Sequence, residues 1–209
     1  MLLVTRPQPE ADDEVRRLRA EGIEAIAAPC LAFSAIEAVP PSISALFAHP
    51  ADLLVTSPRA AEFLPDPPAN WRVLSLAPKT AEILLDRVIV PALTSRQGAA
   101  ALTMLARPGP VIVATSDLGG QEVLRVRPDA SIWPLYRTEC PDSLPDAVRT
   151  ALALTFDVWF TSPSTVANFE KLAPGALERA REVFWTGETT RIALAARTRR
   201  TVTHGPPRG

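Results

Sequence analysis

Short apolar runs alternate with amphipathic stretches along the chain. Residues 1–5 (MLLVT) are long enough for a buried strand, and residues 8–20 place apolar or small side chains among charges at helical spacing. Gly22 is a suitable helix stop, and residues 23–28 form a second apolar run. This order predicts a strand, a crossover helix and a parallel strand, joined by a right-handed connection.

The same alternation continues to the carboxyl terminus. Further strands are predicted at residues 52–55, 73–77, 88–90, 111–115, 131–135, 157–160, 183–185 and 200–203. Further helices are predicted at residues 43–48, 59–64, 78–85, 97–106, 121–126, 145–154, 163–172, 176–181 and 189–196. Strands that alternate with helices predict an α/β fold with doubly wound parallel sheets, covered by helices on both faces.

One stretch of this pattern occurs twice. Residues 52–64 read DLLVTSPRAAEFL, and residues 157–169, which lie 105 positions later, read DVWFTSPSTVANF. A second pair follows: VLSLAPKTAEIL begins at Val73, and VFWTGETTRIAL begins 110 positions later at Val183. A repeat of this length is too long for a solenoid and predicts two related domains, which a chain of 209 residues can accommodate.

The predicted domains do not divide the chain at its midpoint. Extended segments at residues 31–37 (LAFSAIE) and 135–140 (LYRTEC) lie about a hundred residues apart. We therefore expect the chain to cross between the domains twice. Residues 1–30 with 141–209 are expected to form one domain and residues 38–134 the other. The two extended segments are expected to lie side by side as a two-stranded linker.

Composition and charge exclude several classes of protein. The net charge of −1 and pI of about 6.2 do not favour a nucleic-acid or membrane-surface protein. No apolar run approaches the roughly 20 residues of a membrane span, and the first residues lead directly into a predicted strand. The two cysteines, Cys30 and Cys140, form no metal or redox motif. We expect a cytoplasmic protein that contacts neither nucleic acid nor membrane.

The repeated Thr-Ser-Pro turns allow a structural and a functional interpretation. Ser57 and Ser162 are suited to cap a helix, and Pro58 and Pro163 then take the favoured first helical position. The same turns follow parallel strands, at the sheet edge where doubly wound folds bind ligands. Backbone N–H groups at a helix start attract anions there. The two interpretations are compatible, because a capped helix start keeps other donors available.

The second repeated pair supplies two more helix starts. Gly187 opens one of them, Ala77 precedes Pro78 at the other, and Thr80 corresponds to Thr190. Each motif is weak by itself. Four helix starts, two in each domain and facing one cleft, predict a polyanionic ligand between the domains.

Taken in order, these segments resemble the uroporphyrinogen-III synthase family. The segments are VTRP, DLLVTSPRAAEFL, PKTAEIL, PLYRTE, DVWFTSPSTVANF and GETTRIAL, and together they cover nearly the whole chain. The resemblance implies two flavodoxin-like domains joined by a two-stranded linker. It also implies a cyclising lyase of haem biosynthesis that converts hydroxymethylbilane, a linear tetrapyrrole, into uroporphyrinogen III and inverts the last pyrrole ring. Neither a metal nor an organic cofactor is implied.

The resemblance also implies site residues. Tyr136, the one tyrosine of the chain, matches the family tyrosine proposed as the acid that assists departure of hydroxide. Its structural alternative is a linker aromatic that covers apolar surface. Arg6 is expected to bind substrate carboxylates, or else to pair with charges near Glu10. The expected substrate-binding residues are Arg6, Ser57, Thr80, Ser116, Ser162, Gly187 and Thr190.

The chain departs from the family in one stretch. Family members commonly carry arginine and glycine at the positions of Ser116 and Asp117, and another arginine at that of Gln121. Ala77 stands where glycine is usual. These changes weaken the expected anion site of one domain.

The family resemblance implies a monomer that makes transient contact with hydroxymethylbilane synthase. Two other classes compete with the enzyme. One is a non-catalytic homologue that holds a tetrapyrrole or another anion. The other is a bilobed ligand-binding or regulatory module unrelated to tetrapyrroles.

Overall fold

The structure, a computed structural model, describes residues 1–95 and 108–206. Its strands are β1 (Leu2–Val4), β2 (Ala25–Ala27), β3 (Ala32–Ala35), β4 (Ala51–Val55), β5 (Trp71–Ser75), β6 (Leu93–Thr94), β7 (Val111–Ser116), β8 (Ser131–Glu139), β9 (Asp157–Phe160), β10 (Val183–Trp185) and β11 (Val202–His204). Its helices are α1 (Glu10–Ala20), α2 (Pro41–Ser44), α3 (Pro58–Phe63), α4 (Pro78–Asp86), α5 (Gln121–Val126), α6 (Asp146–Ala151), α7 (Pro163–Leu172), α8 (Ala176–Arg179) and α9 (Glu188–Ala195).

The chain divides into two compact units. Unit 1 comprises Met1–Ala32 and Glu139–Gly209, and unit 2 comprises Phe33–Thr138. The role of residues 31–37 and 135–140 as a linker stays a prediction.

Unit 1 is built on a parallel sheet with strand order β11-β10-β9-β1-β2. Neighbouring residues of β1 point to opposite faces, so Leu2 and Leu3 enter different cores. Leu2 packs in a cluster with Val15 and Leu18 of α1. Leu3 packs in the larger cluster, which includes Phe169 of α7. Both faces of the sheet are therefore covered, as a doubly wound fold requires.

The second sheet has strand order β3-β8-β7-β4-β5-β6, and its four pairs from β8 to β6 are parallel. Leu53 lies in a cluster with residues of α3 and α4, whereas its neighbour Leu54 lies in a cluster with Val123 of α5. At the β3 edge, the Ile36 amide donates to the Leu135 carbonyl over 2.9 Å. The predicted α/β class with parallel sheets is confirmed.

Several predicted elements differ from the structure. The strand predicted at residues 88–90 is wrong, because that segment turns after α4 and the next strand is β6. The strand predicted at 131–135 continues without a break to Glu139, so it includes most of the extended segment predicted at 135–140. The helix predicted at 97–106 lies outside the described residues.

The aspartate that opens each copy of the first repeat is buried and forms an ion pair with an arginine. Asp52, 4% exposed, accepts from Arg72 Nε and Nη2 over 2.8 and 2.5 Å. Asp157, 7% exposed, accepts from Arg181 Nε and Nη2 over 2.9 and 2.5 Å. These pairs tie β4 to β5 and β9 to the segment before β10. The repeated aspartates are thus structural.

Candidate functional site

The predicted turns lie where parallel strands end. Ser57 lies just beyond β4 and Ala77 just beyond β5, and these strands are neighbours in unit 2. Ser162 and Gly187 stand in the same relation to the neighbouring strands β9 and β10 of unit 1. Each unit therefore presents two helix starts at the carboxyl edge of its sheet, where ligands bind in doubly wound folds.

The Thr-Ser-Pro turns are closed by their own serines. Ser57 Oγ accepts from the Ala60 amide over 3.0 Å, and Ser162 Oγ accepts from the Thr165 amide over 3.3 Å. The Thr165 hydroxyl donates to the Ser162 carbonyl over 2.8 Å. Pro58 occupies the first helical position, as predicted. The serines act as helix caps, and their contact with a substrate stays a prediction.

The second pair of helix starts has no side-chain cap. Neither Ala77 nor Gly187 caps its helix through a side chain. Thr80 and Thr190 occupy the third helical position and are 0% and 1% exposed. Within residues 1–95 and 108–206, neither hydroxyl has a hydrogen-bond partner. Thr165, at the same helical position in α7, has one. Because an unpartnered buried hydroxyl costs about 1–3 kcal/mol, these helix starts are candidates for ligand binding.

Tyr136 is held in an aromatic cluster near Ser57. Its side chain is 8% exposed; the Phe63 ring stacks on it at 5.5 Å, and the Phe33 ring meets it edge-on at 5.6 Å. The phenol oxygen lies 3.3 Å from Ser57 Oγ. In the sheet, Tyr136 is the register partner of Ser116 on β7. The structure thus brings together three of the predicted site residues of unit 2.

Either hydroxyl can donate in the contact between Ser57 and Tyr136. Ser57 Oγ accepts from the Ala60 amide, and one orientation directs the serine proton to the phenol oxygen. In that orientation, the phenol proton is free to be donated elsewhere. Tyr136 also packs against apolar residues, as the structural alternative expects. The ring is held by packing while the hydroxyl makes a polar contact.

Sequence reasoning missed one cation in this cluster. The Arg59 guanidinium carbon lies 4.4 Å from the centre of the Phe33 ring, and Arg59 also pairs with Glu62 over 2.5 Å. The sequence could have indicated Arg59, because it directly follows Ser57-Pro58. A side chain at that position lies in the first turn of α3, at the edge of the sheet.

Arg6 lies in unit 1, just beyond β1. Its side chain is 37% exposed and lies 4.0 Å from the carboxylate of Glu14. This pair is at the distance limit of a salt bridge, so Arg6 keeps donors for a ligand. Unit 1 also carries three of the other predicted site residues, and unit 2 carries the remaining four. The first group is Ser162, Gly187 and Thr190; the second is Ser57, Thr80, Ser116 and Tyr136.

Two features are absent from the part of the chain that the structure describes. That part holds no group of three or more His, Cys, Asp or Glu side chains able to bind a metal ion. None of its helices is both long enough and apolar enough to cross a membrane.

Comparison with known proteins identifies the family. A family model described as uroporphyrinogen-III synthase HemD matches residues 12–203. No curated protein sequence matches the chain significantly.

Two solved structures are similar in fold. A uroporphyrinogen-III synthetase from Helicobacter pylori has a TM-score of 0.64 and 17% identity, with 97% of this chain and 91% of that one covered. A mutant uroporphyrinogen III synthase from the extremely thermophilic bacterium Thermus thermophilus has a TM-score of 0.55 and 16% identity, with 93% and 88% covered. At these identities the likeness concerns the fold.

Proposed function

The chain belongs to the uroporphyrinogen-III synthase family, and we propose that Tyr136 and Ser57 carry the acid step of that reaction. The supporting observation is the phenol oxygen of Tyr136, held 3.3 Å from Ser57 Oγ at the carboxyl edge of the unit 2 sheet. The substrate is hydroxymethylbilane, and the product is uroporphyrinogen III, in which the last pyrrole ring is inverted.

The reaction requires one proton donor and a site that brings the two ends of the substrate together. The terminal hydroxyl of hydroxymethylbilane accepts the phenol proton and leaves as water, and an azafulvene cation remains. A phenol is a weak acid at neutral pH, so its orientation by the hydrogen bond from Ser57 and by the packing of Phe33 and Phe63 matters for proton transfer. The protein also holds the two ends of the linear tetrapyrrole together. Such proximity lowers the barrier to ring closure by several kcal/mol.

The substrate's eight carboxylates are proposed to bind at hydrogen-bond donors that have no partner within the described residues. The starts of α4 and α9 offer the free amides of each first turn, including those beyond Gly187. The buried, unpartnered hydroxyls of Thr80 and Thr190 lie in the same turns and are proposed to donate when a carboxylate binds. A carboxylate at a helix start gains about 0.3–1 kcal/mol. Such gains are small, so Arg6 contributes a charged contact in unit 1. Ser116 and Ser162 add hydroxyls at the same sheet edges.

The finer description of the enzyme belongs to the same proposal. We propose a cytoplasmic, monomeric lyase that needs no metal or organic cofactor. Hydroxymethylbilane closes spontaneously to the type I isomer, so transient contact with hydroxymethylbilane synthase would limit loss of substrate. Residues 31–37 and 135–140 are proposed as the linker between the two units.

A progress curve tests catalysis against simple binding. Hydroxymethylbilane is added to folded protein, and its disappearance is followed against a heat-denatured sample. We expect consumption to accelerate in proportion to the concentration of folded protein. The non-catalytic homologue predicts bound substrate with unchanged or slower closure, and that result would refute the proposed function.

A further inference from the structure

Unit 2 contains a cavity of about 540 Å³ at the carboxyl edge of its sheet. One wall is formed by Thr56 and Leu76, which directly follow β4 and β5. A second wall is formed by the loop after β7 and by α5. Thr56 is the residue before Ser57, so the cavity wall and the Tyr136 contact lie on one segment. Its volume falls in the range of small-molecule sites.

Two glycines shape the loop wall. A Cβ atom on Gly119 would lie 2.1 Å from Thr115 Oγ1, and one on Gly120 would lie 2.6 Å from Ile132 Cδ1. Gly120 also has φ of +84°, which disfavours other residues. Larger side chains would therefore displace the loop that lines the cavity.

Arg125 supplies a cation to the lining of this cavity. Among residues 1–95 and 108–206, it forms neither a hydrogen bond nor an ion pair through its side chain. Arg127, two positions later, is instead engaged with Asp129 over 2.9 Å and with the Gly109 carbonyl over 3.0 Å. Glu122 lines the same wall as Arg125, yet the two do not form an ion pair.

We propose that this cavity binds one carboxylate-bearing pyrrole ring of the substrate, with Arg125 as the carboxylate ligand. The inference rests on the proposed function, because the tetrapyrrole supplies the ligand. A guanidinium binds a carboxylate through two parallel hydrogen bonds. The side-chain amide of Gln121 adds a hydrogen-bond donor. Leu76 and Leu118 offer apolar surface to the pyrrole ring. Glu122 opposes the bound charge and weakens the site.

Three substitutions in α5 and directly after it test this site. One is expected to raise KM, one to lower it, and the third is a control. Arg125→Gln is expected to raise KM for hydroxymethylbilane about tenfold, the lower range for a hydrogen-bonded charge. Glu122→Gln is expected to lower KM roughly twofold, since a repelling charge at an exposed site contributes little. Arg127→Gln is the matched control, and its KM is expected to equal that of the unsubstituted protein. Thermal unfolding of each variant verifies its folding.

A binding measurement separates this inference from the proposed function. Uroporphyrin III, the stable oxidised form of the product, is titrated while tryptophan fluorescence is followed. Weaker binding to Arg125→Gln than to Arg127→Gln supports the carboxylate site, whether or not the protein turns over substrate. Equal binding and equal KM in these two variants would overturn the inference. The proposed function fails separately, when the unsubstituted protein does not accelerate closure.

Discussion

Residues at equivalent positions of the helix starts have different roles in the structure. Ser57 and Ser162 both cap helices, yet within the described ranges only Ser57 also contacts the Tyr136 phenol. Thr165 and Thr190 occupy the same helical position, but only Thr165 satisfies its hydroxyl within its own turn. Sequence similarity alone does not distinguish these cases, because they depend on which partner atom each hydroxyl can reach.

The phenol of Tyr136 is expected to assist the reaction without being indispensable. Tyr136→Phe keeps the packing against Phe33 and Phe63 and removes only the proton donor. We expect kcat to fall about a hundredfold, the lower range for one positioned acid. The rate is measured with hydroxymethylbilane in proteins of equal thermal stability. A fall of more than about a thousandfold would contradict the role given to the phenol.

Thr190 and Thr165 provide a matched pair for the unpartnered hydroxyl. Thr190→Val removes a buried hydroxyl that has no partner among the described residues, so the free energy of unfolding is expected to stay equal or to rise while KM rises. Thr165→Val removes a hydrogen bond and is expected to cost about 1 kcal/mol. Urea unfolding gives both free energies. Equal losses of stability in the two variants would show that Thr190 is satisfied in solution.

The Cys30 thiol is expected to be inert. Burial raises the pKa of Cys30 well above its ordinary value, so the reactive thiolate is scarce at mildly alkaline pH. Cys140 is partly exposed. Alkylation with iodoacetamide at about pH 8, near the ordinary pKa of a thiol, should label Cys140 alone in the native protein and both cysteines in denaturant. Cys140→Ser should abolish native labelling, and native labelling of that variant would contradict the buried position of Cys30.

At the scale of elements, hydrophobic periodicity located most strands and helices, and the errors have local causes. The segment after α4 is apolar enough to be read as a strand, but it forms the helix end. There the Ile89 amide donates to the Leu84 carbonyl and the Val88 amide to the Leu85 carbonyl, both over 2.8 Å. This closure places Val88 at φ of +62°, a position usually taken by glycine. Periodicity carries no information on such a turn.

Val88→Gly is therefore expected to stabilise the protein. Val88 is 88% exposed, so the change loses little packing. It also removes the strain of a valine in the left-handed backbone conformation, which glycine adopts easily. We expect the free energy of unfolding to rise by about 1 kcal/mol, measured by urea denaturation. Val90→Gly, at an exposed neighbouring position, serves as control and should bring no gain. A loss of stability in Val88→Gly would argue against the turn seen after α4.

At the scale of the whole molecule, the sequence predicted the α/β class and the family because both rest on ordered patterns. The sequence did not show which residues distant along the chain contact each other. The alignment of the second repeat pairs Arg72 with Glu182, whereas the residue that performs the equivalent role is Arg181. The cation at the unit 2 cavity was likewise missed, because the sequence of α5 does not distinguish Arg125 from the engaged Arg127 that follows the helix. Such features depend on contacts between segments distant in the chain.

The isomer formed from hydroxymethylbilane tests the central claim most directly. The substrate is incubated with rising concentrations of folded protein, and the products are oxidised to porphyrins and separated chromatographically. We predict that the type III isomer replaces the type I isomer of spontaneous closure as the protein concentration rises. Type I alone at every concentration, from protein shown to be folded by its thermal unfolding transition, would contradict the proposed function.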